Sequence, residues 1–505
     1  MNTSSQRIHD LFDRWLRDEP SRVFLHLPDK TLSFAQVGQL VDQVETEMRA
    51  DGVLPGDRVL LVAENCPEHV ALILACSRIG AWSCGVNARM APAEAAAFLA
   101  KADPRITYFT TEVSPAAASH ALRSQARPSV LKGLERSPVR TEALAEPQPL
   151  ADQVAAIIFT SGTTGACKGV LMTHEGVLHF ARVSAESRGL GPQDRAYAYL
   201  PMTHIFGLGT VLMASMYAGA SLVMRAHFDP ADLLDALAHH KVSQMQGPPT
   251  LFARLLAHME QLGIPHPDAP DLKYVYTGAG PLDPVLKKRV EAAFCLPLHH
   301  GYGLSEYAGS IHLTRREEWR EDTSAGYCVE GAELRIFDPE SGLELPVGAR
   351  GEIWLRGKGL MPGYFRDPEA SAQVMREGGW YASGDLGELH PDGALFVVGR
   401  LKEMIIRSGF NVYPGEVEAA LNAFAAVQRS AVVGRPADDG NEEIIAYVEL
   451  RPGAHLDTDA LRDHLREKLS PYKRPAQVRA IPALPETGTG KVLKRQLLEM
   501  YPPLP

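Results

Sequence analysis

One short segment of the sequence has the composition of an anion-binding loop. Residues 160–169 hold three glycines, four hydroxyl side chains and one lysine. Glycines let backbone N–H groups approach an anion closely, hydroxyls add donors, and Lys168 adds a compact positive charge. The apolar run at 157–159 predicts a buried strand whose carboxyl end carries the loop, where open α/β sheets bind ligands. The candidate phosphate-binding residues are Thr160, Ser161, Gly162, Thr163, Thr164, Gly165 and Lys168.

This loop differs from the common P-loop of nucleotide-binding proteins. That motif requires G-x-x-x-x-G-K-[ST], whereas Gly162 and Gly165 are three positions apart and Lys168 precedes Gly169. A flexible Ser/Thr/Gly linker is the simplest alternative. It is disfavoured because a lysine in a glycine-spaced loop directly after a buried strand is unusual for a linker.

Length and composition limit the class of protein. At 505 residues the chain is too long for one hydrophobic core, so two or more domains are expected. The net charge of −10 argues against a nucleic-acid partner bound through a general basic surface. The six cysteines form no C-x-x-C pair and are interpreted as reduced thiols of a cytosolic protein. Neither a signal peptide nor a membrane span is predicted.

The hydrophobic pattern predicts an α/β fold. An apolar run at 59–63 predicts a buried strand, and 68–79 predicts a helix that begins near Pro67 and ends near Gly80. This strand–helix rhythm favours mostly parallel strands. Residues 111–153 show little periodicity and are interpreted as a surface excursion.

Beyond residue 330 the pattern changes twice. Strands at 333–337, 351–355 and 394–398, separated by Gly, Pro and Asp turns, predict a β-rich subdomain. From about residue 403 the pattern is α+β. Its predicted elements are helices at 417–424 and 459–469 and strands at 430–434 and 444–450.

The phosphate loop resembles the signature T-S-G-T-T-G-x-P-K-G of the acyl-adenylate-forming superfamily. That family includes acyl- and aryl-CoA synthetases, luciferase and the adenylation domains of peptide synthetases. Cys167 stands where the family usually has proline, which frees φ at this position and makes the loop less stiff. Matching motifs follow in the family's order, so the resemblance covers residues 10 to 497.

Two of these motifs concern the adenosine moiety and the metal. The segment 302–306, Y-G-L-S-E, resembles Y-G-x-T-E, which implies that Glu306 binds Mg²⁺ and that Tyr302 lies against adenine. Segment 383–385, S-G-D, resembles T-G-D, whose aspartate accepts hydrogen bonds from the ribose, and an arginine follows fifteen residues later. The adenosine-binding residues implied by the resemblance are Gly278, Ala279, Gly280, His300, Tyr302, Gly303, Ser305, Asp385 and Arg400.

The remaining motifs imply two domains that move. Lys402 matches the family's pivot residue, and the pantetheine tunnel corresponds to Ser408, Gly409 and Phe410, with Ser408 in place of a usual glycine. Lys491, in a P-x-T-x-T-G-K segment, matches the lysine that completes the adenylation site. The implied organisation is a large domain at 1–399 with a β-rich subdomain at about 330–399, a hinge at 400–403 and a small domain at 404–505.

The resemblance implies a two-step ligase. A carboxylate attacks the α-phosphorus of ATP, pyrophosphate leaves, and the CoA thiol then displaces AMP. The catalytic candidates are Lys491, Glu306 and His204. The acyl pocket is expected at His204, Gln246, Ala279, Ala308 and Gly309. Because Ala308 and Gly309 are small, an aryl or medium-chain acid is favoured, and a dicarboxylate bound by Arg254 is the alternative.

Other acceptors and classes stay open on these motifs. An enzyme that loads a carrier-protein thiol would share nearly all of them, and so would a luciferase-like oxygenase. A silent nucleotide-binding regulator would be expected to lose Glu306 or Lys491, and both are present. The expected ligands are ATP, Mg²⁺, CoA and a small carboxylic acid, without nucleic acid, in a monomer or homodimer.

Overall fold

The computed structural model describes residues 6–161, 167–407, 410–437, 442–486 and 492–502. A nine-stranded and a seven-stranded sheet, both largely parallel at their centres, make up the first two thirds of the chain, and smaller sheets follow. The predicted α/β class with a large N-terminal part and a smaller α+β C-terminal part is confirmed. In the described part of the chain, every helix is too short or too polar to traverse a bilayer.

Helices pack against the large sheets and against both faces of the small C-terminal one. The α-helices are α1 Asp10–Asp18, α2 Phe34–Ala50, α3 Pro67–Ile79, α4 Pro92–Ala102, α5 Pro115–Arg123, α6 Leu150–Gln153, α7 His174–Arg188, α8 Ala214–Ala218, α9 Pro230–His239, α10 Pro249–Leu262, α11 Pro284–Phe294, α12 Pro368–Val374, α13 Pro414–Asn422, α14 Thr458–Lys468 and α15 Lys494–Met500. A π-helix spans Phe206–Met213, and 3₁₀ helices span Ser305–Tyr307, Glu377–Gly379, Leu401–Glu403 and Pro471–Lys473.

The strands are mostly short. They are β1 Val23–His26, β2 Thr31–Ser33, β3 Arg58–Ala63, β4 Trp82–Asn87, β5 Ile106–Phe109, β6 Arg127–Pro128, β7 Glu135–Arg136, β8 Val154–Ser161, β9 Cys167–Thr173, β10 Arg195–Ala198, β11 Ser221–Met224, β12 Gln244–Gly247, β13 Tyr274–Thr277, β14 Leu298–Leu304, β15 Gly309–Leu313, β16 Tyr327–Cys328, β17 Ala332–Phe337, β18 Arg350–Gly357, β19 Met375–Arg376, β20 Trp380–Leu389, β21 Leu395–Arg400, β22 Ile405–Arg407, β23 Phe410–Val412, β24 Val427–Pro436, β25 Glu442–Leu450 and β26 Gln477–Ala480.

The two large sheets bring the carboxyl ends of several strands together. The nine-stranded sheet has the order β16-β15-β14-β13-β12-β10-β11-β1-β2, and the seven-stranded sheet has the order β6-β7-β5-β3-β4-β8-β9. Strands β10 to β14 run parallel in the first, and β5, β3, β4 and β8 run parallel in the second. Residues that follow these strands therefore meet at one edge of each sheet.

The predicted strand–helix unit after residue 58 is present with its expected ends. All six residues of β3 are buried, as a strand covered on both faces requires. Pro67 lies in the first turn of α3, where its missing N–H costs no hydrogen bond. Gly80 ends the helix at φ 90°, a conformation that glycine adopts without strain. These details confirm the interpretation of this segment.

Residues 111–153 contain more regular structure than their weak periodicity suggests. Helix α5 packs beside β5, and β6 and β7 extend the seven-stranded sheet at its edge. Ser129 and the amide of Val130 donate hydrogen bonds of 2.6 and 2.8 Å to Glu47. These polar contacts hold the segment to helix α2, and they require no regular spacing of apolar residues in the sequence.

The last two sheets carry the motifs after residue 330. Strands β17, β18, β20 and β19 form a sheet in which β21 also pairs with β20. Strands β24, β25 and β26 form the small C-terminal sheet, and α13 and α14 bury Val417, Leu421, Leu461 and Leu465 against it. All the strands and helices predicted after residue 330 are present, with ends shifted by at most three residues.

Candidate active site

The phosphate-loop segment joins two antiparallel strands at the edge of the seven-stranded sheet. Thr160 on β8 lies opposite Lys168 on β9. The Lys168 ammonium lies 4.5 Å from the centroid of the Tyr364 ring, a cation–π distance. Seven predicted site residues, and the side chain of Ser161, lie outside the described residues. The seven are Gly162, Thr163, Thr164, Gly165, Ser408, Gly409 and Lys491.

Tyr364 connects this strand to the predicted metal ligand. Its hydroxyl donates a 3.0 Å hydrogen bond to Oε1 of Glu306 and lies 3.3 Å from the hydroxyl of Tyr381. Burial, and then the Glu306 charge, raise the pKa of Tyr364, so the phenol stays protonated and acts as a donor. Lys168 and Glu306, which are 138 positions apart in the sequence, are thus joined by one aromatic ring.

Removing the Tyr364 hydroxyl should weaken this connection. We expect Tyr364→Phe to raise the KM for Mg·ATP about tenfold, because a hydrogen bond to a charged group contributes roughly 1.5–3 kcal/mol. The ring under Lys168 is kept. Steady-state kinetics with ATP as the varied substrate measures the effect. Tyr217→Phe is the matched control, since it removes an exposed hydroxyl that donates to Glu186, and an equal change in both variants would refute the role of Tyr364.

A second cluster is centred on Asp385. Its Oδ2 accepts a 2.7 Å hydrogen bond from the Tyr302 hydroxyl, and its Oδ1 lies 3.1 Å from Nε of Arg400. Asp385 and Arg400 are cross-strand neighbours on β20 and β21, so the sheet fixes the pair. The Asp385 charge raises the pKa of Arg400, and burial raises that of Tyr302. A carboxylate has about four lone-pair positions, so each Asp385 oxygen can accept a further hydrogen bond.

The turn that presents Asp385 depends on a buried carboxylate that the sequence motifs do not include. Glu352 Oε1 accepts a 2.9 Å hydrogen bond from the amide of Gly384, and its Oε2 accepts one of 2.8 Å from the Trp354 indole. Ser383 Oγ donates to the Ile353 carbonyl at 2.7 Å. In the sequence, a glutamate within the otherwise apolar part of β18 could have indicated this buried contact.

The glycine segment after β13 lies beside His300. Thr277, the last residue of β13, is the register partner of His300 on the parallel strand β14. Ala279 has φ 63°, so the chain turns sharply between Gly278 and Gly280. Burial lowers the pKa of His300, and its Nδ1 lies 3.3 Å from the carbonyls of Thr323 and Ser324. The ring is therefore neutral, and the Gly280 backbone also forms a hydrogen bond with it.

The segment around the predicted metal ligand lies at the end of β14. Gly303 pairs with Ser310 of β15, where a side chain would collide with the Gly309 carbonyl. Ser305 begins the 3₁₀ helix that contains Glu306. Within the described residues, no group of three or more His, Cys, Asp or Glu side chains is arranged to hold a metal. Glu306 with phosphate oxygens from a bound nucleotide fits the ligand set that Mg²⁺ prefers.

Two of the predicted acyl-pocket residues lie next to the π-helix, namely His204 and Gly309, the first residue of β15. His204 precedes the π-helix, and His204 Nδ1 accepts a 3.2 Å hydrogen bond from the amide of Phe206. A Cβ at Gly309 would lie 2.4 Å from the Phe180 ring, so packing against α7 requires glycine there. The small size of Gly309 thus accommodates the Phe180 ring, and its assignment to the acyl pocket stays a prediction. Ala308 adopts φ 55° next to it.

Gln246 is buried on β12, and the cation beside it was not predicted. Arg188, at the end of α7, donates a 2.9 Å hydrogen bond from Nη1 to Gln246 Oε1. Arg254, which the sequence suggested for a second carboxylate, is exposed and stacks 4.9 Å from the Phe228 ring. The distance of Arg188 from Gln246 in the sequence, 58 positions, explains why no motif revealed the pair.

The segment around Lys402 is held on both sides. Arg400 is paired with Asp385, as described above, and Lys494 of α15 lies 3.2 Å from Glu403 and 2.9 Å from Glu418. Burial opposes the charge on Lys494, but the two glutamates outweigh it and raise its pKa. Between Arg400 and Glu403 lie Leu401 and Lys402. Farther along, Phe410 stacks on Tyr472 at 4.5 Å.

The arrangement can bind a nucleoside triphosphate. A buried carboxylate with an arginine and a tyrosine can hold a ribose, and a single glutamate can bind a metal–phosphate complex. Lys168, the second residue of β9, can pair with a phosphate charge. The cluster at Asp385 and the cluster at Glu306 are connected through the chain, because Tyr302 on β14 precedes Glu306 by four residues.

Comparisons with known proteins agree with this geometry. Residues 12–365 match the AMP-binding enzyme family, and residues 416–491 match the AMP-binding enzyme C-terminal domain. Feruloyl-CoA synthase of Amycolatopsis sp is 33% identical over 477 residues, which cover 93% of this chain and 94% of that protein. 4-Coumarate–CoA ligase 5 of Oryza sativa subsp. japonica is 31% identical over 512 residues, which cover 97% of this chain and 94% of that protein.

A solved structure shows the same architecture. ATP-bound MatB from Rhodopseudomonas palustris superposes with a TM-score of 0.87 at 28% identity, over 98% of this chain and 99% of that one. The family match covers more than half of the chain, and the relatives align from end to end. The chain belongs to the AMP-binding enzyme family and is an AMP-forming acid–thiol ligase.

Proposed function

We propose that this protein activates an aryl carboxylic acid as its acyl-adenylate and transfers the acyl group to CoA. The observation that carries the proposal is the contact chain Lys168–Tyr364–Glu306, which brings the strand after the phosphate loop to the predicted metal ligand. Relatives named for feruloyl-CoA and 4-coumarate–CoA ligation support the acid class and the acceptor.

The first step assigns a role to each group. Lys168, with the hydroxyls of Thr160, Ser161, Thr163 and Thr164, binds the β- and γ-phosphates, and Asp385 and Arg400 orient the ribose. Glu306 holds Mg²⁺, which when bound neutralises phosphate charge. Lys491 stabilises the charge that develops at the α-phosphate as the carboxylate attacks and pyrophosphate leaves. His204 lies at the entrance of the acyl pocket, beside the attacking carboxylate.

The second step uses a rotation about Lys402. The large domain is proposed to end at residue 399 and the small one to begin at 404, with 400–403 as the hinge. The contacts support these limits, because Arg400 is fixed to Asp385 on one side and Glu403 to Lys494 on the other. Rotation would remove Lys491 and bring Ser408, Gly409 and Phe410 to the tunnel for the thiol, which attacks the acyl carbon as AMP leaves.

An acid panel tests the proposal. Cinnamates, benzoates, medium-chain acids and malonate are each incubated with ATP and Mg²⁺, with and without CoA, and thioester is measured by mass spectrometry. We expect CoA thioesters from cinnamates or benzoates at least about tenfold more efficiently than from malonate. Pyrophosphate release without any CoA thioester would indicate another acceptor, such as a carrier-protein thiol. Preference for malonate would indicate the dicarboxylate alternative.

A further inference from the structure

Arg188 is a buried cation whose side chain donates hydrogen bonds to neutral acceptors. Its side chain donates to the carbonyls of Ser184 and Thr210, at 2.7 Å each, and to the side-chain oxygen of Gln246. Among the described residues, no carboxylate lies within ion-pair distance of Arg188. Burial lowers the pKa of Arg188 to about 10, so the guanidinium is charged at neutral pH. Burying such a charge is costly unless it has a purpose or a partner.

This contact fixes which way the Gln246 amide points. A guanidinium can only donate hydrogen bonds, so the atom of Gln246 that faces Arg188 must be the oxygen. The amide nitrogen therefore points away from Arg188. Gln246 is 1% exposed, and within the described part of the chain its Nε2 has no hydrogen-bond partner. A buried donor that is left unsatisfied destabilises the site, and an acceptor on a bound ligand would remove this cost.

Gln246 lies near the carboxyl end of its strand, at the sheet edge that carries the glycine segment of the predicted site. Gln246 is one residue from the end of β12, and its cross-strand neighbour Tyr276 is one residue from the end of β13, directly before Gly278 to Gly280. Tyr276 also lines a small cavity with Arg188, Thr210 and Ser310, and its hydroxyl lies 3.3 Å from that of Ser310. An acyl group whose carboxylate lies at the sheet edge would extend toward these polar groups.

We propose that Arg188 and Gln246 form a specificity device that selects aryl acids carrying a hydrogen-bond acceptor, such as an alkoxy or hydroxyl oxygen, on the ring. Gln246 donates from Nε2 to that oxygen, and Arg188 is the positioning residue that prevents the amide from turning over. The inference rests on the proposed aryl-acid ligase and adds the chemistry of the ring substituent.

The test uses acids that differ in one acceptor. Methoxycinnamates, which can only accept, are compared with ethylcinnamates of nearly the same shape, with the substituent at the 3- or 4-position. The ratio of kcat/KM for CoA-thioester formation is measured for each pair. We expect a ratio of at least about ten for one of the two pairs with the unchanged enzyme, since one hydrogen bond that completes a buried group has this effect.

Two variants isolate the donor. Gln246→Glu keeps the shape and the contact with Arg188 but replaces Nε2 with an acceptor oxygen, and it should lower the ratio to about one or less. Gln246→Met removes both atoms and should give about one. Gln244→Met is the matched control on the same strand and face. It removes a buried amide whose nitrogen contacts the Arg188 carbonyl at 3.4 Å, and it should keep the ratio of the unchanged enzyme.

The outcomes separate the two proposals. A ratio near one with the unchanged enzyme, or a ratio that survives Gln246→Glu, overturns the specificity device while thioester formation from both acids leaves the aryl-acid function standing. A higher efficiency with a carboxy-cinnamate than with the methoxy compound also overturns it, because it would assign a second carboxylate to Arg188. If no cinnamate or benzoate forms a thioester, both proposals are wrong.

Discussion

Replacing Lys491 with alanine should slow acyl-adenylate formation by at least about 10²-fold, the scale observed when one electrostatic stabiliser of a transition state is removed. The reason is that the proposed first step has little covalent chemistry for the protein to perform beyond positioning and charge stabilisation. The variant should convert a supplied acyl-adenylate and CoA to thioester at a nearly normal rate. Single-turnover measurements of each half-reaction give the two rates separately.

The control for this variant is Lys468→Ala, which removes an exposed lysine near the end of α14 in the same C-terminal part of the chain. It should leave both half-reactions unchanged. A Lys491→Ala enzyme that is slowed equally in both half-reactions would contradict the proposed division of the site between two domain orientations, because the lysine would then act in both.

The second large effect is expected at Asp385. Asparagine in its place keeps the shape but removes the charge that pairs with Arg400 and weakens the acceptor for ribose hydroxyls. We expect Asp385→Asn to lower kcat/KM for ATP by about 10²-fold, since hydrogen bonds to charged groups contribute about 1.5–3 kcal/mol. The KM for the acid, measured at saturating ATP, should change less than about threefold. Initial rates of AMP formation with each substrate varied provide both values.

Loss of a buried charge can also destabilise the fold, so the thermal midpoint is measured alongside the kinetics. Asp268→Asn, at an exposed position in the loop after α10, is the matched control. It should change neither the thermal midpoint nor the kinetic constants. If Asp385→Asn raises the KM for the acid as much as that for ATP, Asp385 supports the whole site and does not act on the ribose in particular.

Much of the fold follows from local patterns in the sequence. The β3–α3 unit is an example, because Pro67 and Gly80 mark the ends of the helix and the apolar run before it marks the strand. Residues 111–153 are the counterexample. There the chain is held by hydrogen bonds to Glu47, and such long-range polar contacts leave no periodic signal.

The residues of the candidate site also fall into two groups, those that sequence motifs reveal and those that they do not. Motif residues such as Asp385, Arg400 and Glu306 are recognisable because their neighbours in the sequence share their task. Tyr364, Glu352 and Arg188 are single residues far from the groups they touch, and each acts through a contact that the fold creates. Gly309 also has a packing role that its sequence neighbours do not reveal, because the Phe180 ring of α7 lies against it.

The central claim is that the acid is activated as an adenylate before any thiol takes part. Exchange of labelled pyrophosphate into ATP tests it most directly, with the best acid of the panel present and CoA absent. We predict exchange that depends on the acid and on Mg²⁺ and that falls at least about 10²-fold in Lys491→Ala. Exchange that requires CoA, or turnover that yields ADP and phosphate in place of AMP and pyrophosphate, would contradict the account.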